Sequence, residues 1–192
     1  MALGYWQTLA SVISAGTAST AAARTSLLTG AKQGLYTLPA NQLRVGDVLH
    51  LKANGSISSV VTTPGTARFD LSFGVAGTAV MDSSQIQLSI IAQSSVWWMV
   101  EAEGVVRVAS SVGNMWWEGK FWSNNVQGSS VGPTAAGQMA LVGFPLPVPP
   151  AVGANVDMTV SNILDFNFTQ TVNTGSITLH SYVLSYKSAS GF

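Results

Sequence analysis

The chain has 192 residues, no cysteine, and a formal net charge of zero from eight basic and eight acidic residues. Disulfides and thiolate metal sites are therefore excluded. The cations Arg24, Lys32, Arg44, Lys52, Arg68, Arg107, Lys120 and Lys187 are scattered singly, so no clustered positive face for nucleic acid is expected. Charged residues make up only 8% of the chain, against about 25% in an average soluble domain. Isolated copies lack mutual repulsion, and burial in an oligomer or larger assembly is the expectation.

Residues 1–30 read as an N-terminal arm and linker, and 31–192 as one β-sandwich domain. The first Arg or Lys is Arg24, so the basic start of a secretory leader is missing. Gln7, Thr8, Ser11 and Ser14 make the run too polar to span a bilayer. Tyr5, Trp6, Leu9, Val12 and Ile13 line one side of a short helix or of an extended arm. That arm is expected to dock on a neighbouring subunit or surface; a frayed terminus is the alternative. Residues 15–23 are small and linker-like.

Residues 35–39 read as a short strand ended by Pro39. Residues 47–53 alternate, Asn54-Gly55 signals a tight turn or bulge, and 56–62 continue extended. A turn over 63–66 precedes an alternating strand in which Phe69, Leu71 and Phe73 face inward. Ala79 to Met81 begins another strand, and residues 85–91 place Ile86, Leu88 and Ile90 on one side. Residues 96–109 and 114–123 are long aromatic strands flanking a turn over 110–113. Trp97 and Trp98 must face opposite sides, as must Trp116 and Trp117. One of each pair suits the core and the other an outer face or subunit contact. Glu101, Glu103 and Arg107 share a face with Met99, and Glu103 with Arg107 suggests an exposed pair of little weight. A Gly/Ser loop over 124–137, a strand over 138–144 and a connector held extended by Pro145, Pro147, Pro149 and Pro150 follow. The many glycines read as turn residues.

Residues 155–187 read as two long strands joined by Asn173-Thr174-Gly175. On the first, Ile163, Asp165, Asn167 and Thr169 face one way and Leu164, Phe166 and Phe168 the other. The second carries Ile177, Leu179 and Val183 on one face and Tyr182, Leu184 and Tyr186 on the other. Being apolar on both faces, it predicts a cover on both. Residues 188–192 form a tail. Eight or nine strands, frequent turns and no amphipathic helix beyond residue 30 give an all-β fold. It is a jelly-roll-like antiparallel β-sandwich of about eight strands with an extended N-terminal arm.

Chemistry is sparse. His50 and His180 lack ligand spacing. Glu101 and Glu103, two apart on one strand face, sit too close to flank a glycosidic bond from opposite sides. Asp82, Asp157 and Asp165 stand isolated, and no nucleophile elbow or phosphate-binding loop occurs. No catalytic residue, metal ligand or cofactor is expected. Trp97, Trp98, Trp116, Trp117, Trp122, Tyr182 and Tyr186 are candidates for an oligomer seam or for stacking on sugars. The seam is preferred, because Trp is enriched at interfaces.

Residues 24–74, RTSLLTGAKQGLYTLPANQLRVGDVLHLKANGSISSVVTTPGTARFDLSFG, with 168–184, FTQTVNTGSITLHSYVL, resemble a group of small virion proteins of tailed bacteriophages and prophages. The words SLL, G-x-Y-x-L-P-A, L-x-V-G, TTPGT and G-SITLH-x-Y carry the likeness, which spans roughly 24–187. These words are structural rather than catalytic. The resemblance implies a non-enzymatic jelly-roll protein, a homotrimer on the head that acts as a decoration or cement protein. It would be made in the host bacterial cytoplasm and end on the capsid surface. Its partners would be itself and the major capsid protein, with no nucleic acid and no membrane. The alternative is a carbohydrate- or receptor-binding module of a head or tail fibre, recognising a host-surface glycan. A secreted lectin-like or hydrolytic sandwich is disfavoured by the missing leader and missing carboxylate pair.

Overall fold

The computed structural model describes residues 5–12, 14–28, 34–60, 65–74, 77–89, 92–125, 140–144 and 155–189. Ile13, the turn at 63–64, Ile90, the loop from 126 to 137, the proline connector and the tail from residue 190 lie outside the described residues. Among the described residues every regular element is a strand. In chain order they are β1 (Gln7–Val12), β2 (Thr25–Ser26), β3 (Tyr36–Leu38), β4 (Val48–Ser59), β5 (Thr66–Phe73) and β6 (Thr78–Asp82). There follow β7 (Ile86–Gln87), β8 (Gln93–Val108), β9 (Asn114–Ser123), β10 (Ala140–Phe144), β11 (Asn162–Gln170) and β12 (Ser176–Lys187).

They form two antiparallel sheets of a sandwich. The larger runs β1-β12-β4-β8-β9-β10 and the smaller β2-β11-β5-β6, with β3 on β11 and β7 on β5. Consecutive strands β4 and β5 lie in different sheets, as do β11 and β12, yet β12 pairs with β4 and β11 with β5. This nested pairing rolls the chain in the jelly-roll manner. The β8–β9–β10 meander widens one sheet.

Alternation places Leu49, Leu51, Ala53 and Ile57 of β4 inward with Trp98, Val100, Ala102 and Val106 of β8. Phe69 of β5 is the hub between the layers. Its ring lies 5.1 Å from Trp98, 5.1 Å from Phe121, 5.2 Å from Phe168 and 5.9 Å from Phe166. Two glycines lie mid-strand beneath indole rings: Gly55, expected at a turn or bulge, and Gly104, within the expected strand 96–109. Gly55 pairs with Trp98 and Gly104 with Trp117. A Cβ on Gly104 would meet Trp117 at 2.3 Å, and one on Gly55 would meet the Thr178 carbonyl at 1.9 Å. Of the two readings of Asn54-Gly55, the turn fails, since β4 runs straight through, and the bulge holds, since one lies opposite this pair of β4. The irregularity lies in its partner, where the register slips between Leu179 and Ser181.

That slip also corrects the reading of β12. The extra residue, His180, reverses the alternation. Ile177 and Leu179 before it and Tyr182, Leu184 and Tyr186 after it all face the core, while Val183 is left half-buried on the outer side. The strand is apolar on one face only.

β1 joins the sandwich as an edge strand on β12, with Ser11 opposite Val183 and Val12 opposite Tyr182. It adds Ala10 and Val12 to the core. At the start of β4, buried Asp47 ties the C-terminal end down. Its carboxylate accepts the Arg44 N–H at 2.8 Å, the Tyr186 hydroxyl at 2.8 Å and the Ala189 N–H at 2.9 Å.

Candidate functional site

The sequence candidates separate cleanly by side. Trp98, Trp117, Tyr182 and Tyr186 line the core, and Val12 joins them, so none of the five presents a surface. Burial raises the Tyr182 phenol above its ordinary range, and its hydroxyl finds no partner among the described residues. Leu9 packs partly against the core. Of the arm residues described, Tyr5 and Trp6 stay exposed. Trp97 is exposed, and Trp116 and Trp122 are half-buried on the outer face of the larger sheet.

That outer face is a ladder of charge and indole. Lys52 stands opposite Glu101, which stands opposite Lys120. His50 Nε2 lies 3.2 Å from Glu101 Oε1, and the edge of Trp6 meets the His50 ring at 5.6 Å. Arg107 does not reach back to Glu103 as the spacing suggested; its guanidinium lies 4.3 Å over Trp116, where the ring's negative face attracts it.

One end of the sandwich gathers apolar side chains. The segment 41–47 is bound to β8 through Gly46 N–H to Val106 O at 2.8 Å, and to residue 158 through Asn41 N–H to Met158 O at 3.0 Å. The β8–β9 turn joins the same group through Met158 N–H to Ser110 O at 2.9 Å. Each of three turns presents a valine: Val45 (63% exposed), Val112 (59%) and Val160 (48%). Val108 adds to them, and Arg44, Val45, Ala109 and Met158 line an open depression between them. Tyr5 and Trp6 lie at this end too, because Gln7 pairs with Tyr186. Sequence reasoning passed over these valines. The signal was present: R-V-G-D, S-V-G-N and T-V-S-N each put a β-branched apolar residue where a turn calls for a polar one.

No protein-family model matches the chain, and no curated protein sequence does. Among solved structures, one likeness is the CBM2 module of Lactobacillus casei BL23 phage J-1 evolved Dit. It has 10% identity over 82% of this chain and 70% of that one, with a TM-score of 0.31. Another is infectious bursal disease virus Gx strain, with 12% identity over 96% of this chain and 36% of that one, and a TM-score of 0.28. At these scores neither likeness carries an inference about this chain.

The outer face of the smaller sheet holds a buried polar cluster. Asp165, read as isolated, lies there with Asp70, Ser72 and Asn167, all nearly inaccessible. Arg24 grips Asp70 through Nε and Nη2 and also donates to the Gly77 carbonyl at 3.0 Å. Asn167 Nδ2 donates to Asp70 at 3.2 Å and to Ser72 Oγ at 3.0 Å. Ser26 Oγ donates to Asp165. Burial above all pushes the Asp165 carboxyl above its usual range, with the Ser26 hydrogen bond and Arg24 opposing. The cluster clamps the segment carrying β2 onto the sheet. Among the described residues no group of three or more His, Cys, Asp or Glu has the arrangement of a metal site.

Proposed function

We propose that this chain is a non-enzymatic virion structural protein, a capsid decoration or cement protein that stands end-on upon the head. The observation that carries the reading is the gathering of Tyr5, Trp6, Val45, Val112 and Val160 at one end of an otherwise well-filled sandwich. Large apolar side chains left exposed together at one end mark a protein contact. The low share of charged residues, 8%, supports permanent residence in an assembly. The resemblance of 24–74 and 168–184 to phage virion proteins supplies the setting. Copies associate as a homotrimer about an axis normal to the shell, with Trp116 and Trp122 on the flank. The outward-facing remainder is free for other contacts.

The test is co-sedimentation of the purified chain with heads of the phage that encodes it. Each valine buried contributes about 1.5 kcal/mol, so the double variant Val45→Asp/Val112→Asp is expected to bind on the order of 100-fold more weakly. Both positions lie in exposed turns, so the circular dichroism spectrum should be unchanged. Unbound wild type, or a variant that pellets like wild type, refutes the reading.

A further inference from the structure

At the other end of the larger sheet, Trp97 projects from the outer face of β8 with 45% of its surface exposed. Its carbonyl oxygen accepts the Ser123 hydroxyl at 2.9 Å, which fixes the main chain beneath the ring. Directly across the sheet lies Ser56 of β4, and beyond it Thr178 of β12. Two irregularities frame this strip. The β12 slip leaves His180 exposed, with Nε2 3.3 Å from Ser56 Oγ. The β4–β8 pairing slips between Ile57 and Ser59, where Ser95 takes a left-handed φ of 50° and donates its N–H to Ser58 Oγ at 2.9 Å. Bulges re-aim side chains and concentrate beside functional sites. Among the described residues the nearest charged side chains on these two strands' outer face, Lys52 and Glu101, lie four residues away along β4 and β8, roughly 13 Å at the rise of a strand.

We infer that this strip is a binding subsite for an uncharged carbohydrate. One face of a pyranose ring carries C–H bonds, which pack against the negative face of an indole. The hydroxyls around the same ring both donate and accept, and Ser56, Thr178 and His180 offer both roles in turn. An anionic ligand would find no cation among the described residues of the strip. The subsite is independent of the shell contact, because it occupies the end of the sheet away from the valines.

The experiment titrates the full chain with chitotriose, cellotriose, maltotriose, mannotriose and lactose while following the tryptophan indole N–H resonances by NMR. The Trp97 signal is assigned by its loss in Trp97→Ala. At least one of these sugars should shift it, with a dissociation constant in the millimolar range. Trp97→Ala should weaken that sugar about tenfold, and Trp97→Phe should weaken it less. Trp6→Ala, at the other end, should change nothing. If none of the five sugars moves the Trp97 resonance, or if binding survives Trp97→Ala, the inference is wrong. A fall in light-scattering mass on Trp97→Ala would mark the ring as a subunit seam and would also overturn it.

Discussion

Asp165 shows how far a single residue can depart from its sequence neighbourhood. It is 1% exposed, shares its sheet face with Asp70, and meets one serine and the field of one arginine. Its folded-state carboxyl titrates above the ordinary value near 4. A carboxyl raised on folding contributes stability fully below the unfolded value, and that contribution is lost as pH climbs through the folded one. Asp165→Asn keeps an oxygen for Ser26 and removes the titration. Urea unfolding from pH 3 to pH 8 should show wild type losing stability relative to this variant as pH rises. A difference that stays constant across the range would contradict the assignment. Nothing in the local sequence signals the cluster, because Arg24, Ser26 and Asp70 reach Asp165 only through strand pairing distant in the chain.

The strands themselves were readable where the alternation was unbroken. β5, β8, β9 and β11 lie where the period of two places them, and the Trp97/Trp98 and Trp116/Trp117 pairs divide between outside and core. β12 was misread because one extra residue inverts the phase and a count of alternate positions cannot see it. Its apparent second apolar face was Ile177 and Leu179 seen out of step with Tyr182 and Leu184. The turn reading of Gly55 failed, and the packing role of Gly104 inside β8 went unseen, because a glycine's local sequence says nothing about the ring lying across it. Packing gives them a measurable role. Gly104→Ala should cost on the order of 3 kcal/mol, since the added methyl overlaps the Trp117 indole. Gly143→Ala in β10, where a Cβ would meet nothing within 4 Å, should leave the urea midpoint nearly unchanged. Equal effects at the two sites would refute the packing account.

Taken whole, the molecule is a sandwich with two dissimilar ends. One carries three turn-tip valines beside Tyr5 and Trp6, and the other carries Trp97 among neutral polar side chains. Fold class was accessible from strand spacing and turn residues. The apolar end was not, because it exists only after main-chain hydrogen bonds bring segments 41–47, 110–113 and 156–160 together. Under the proposed shell contact, low charge carries no penalty, because copies held on a shell need no ionic repulsion to stay dispersed. The most direct measurement is an averaged electron-microscopic image of the intact particle. The account predicts density for the sandwich on the head surface, with Val45, Val112 and Val160 against the shell and Trp97 pointing away. Heads that carry no such density, or a sandwich seated the other way up, would contradict it.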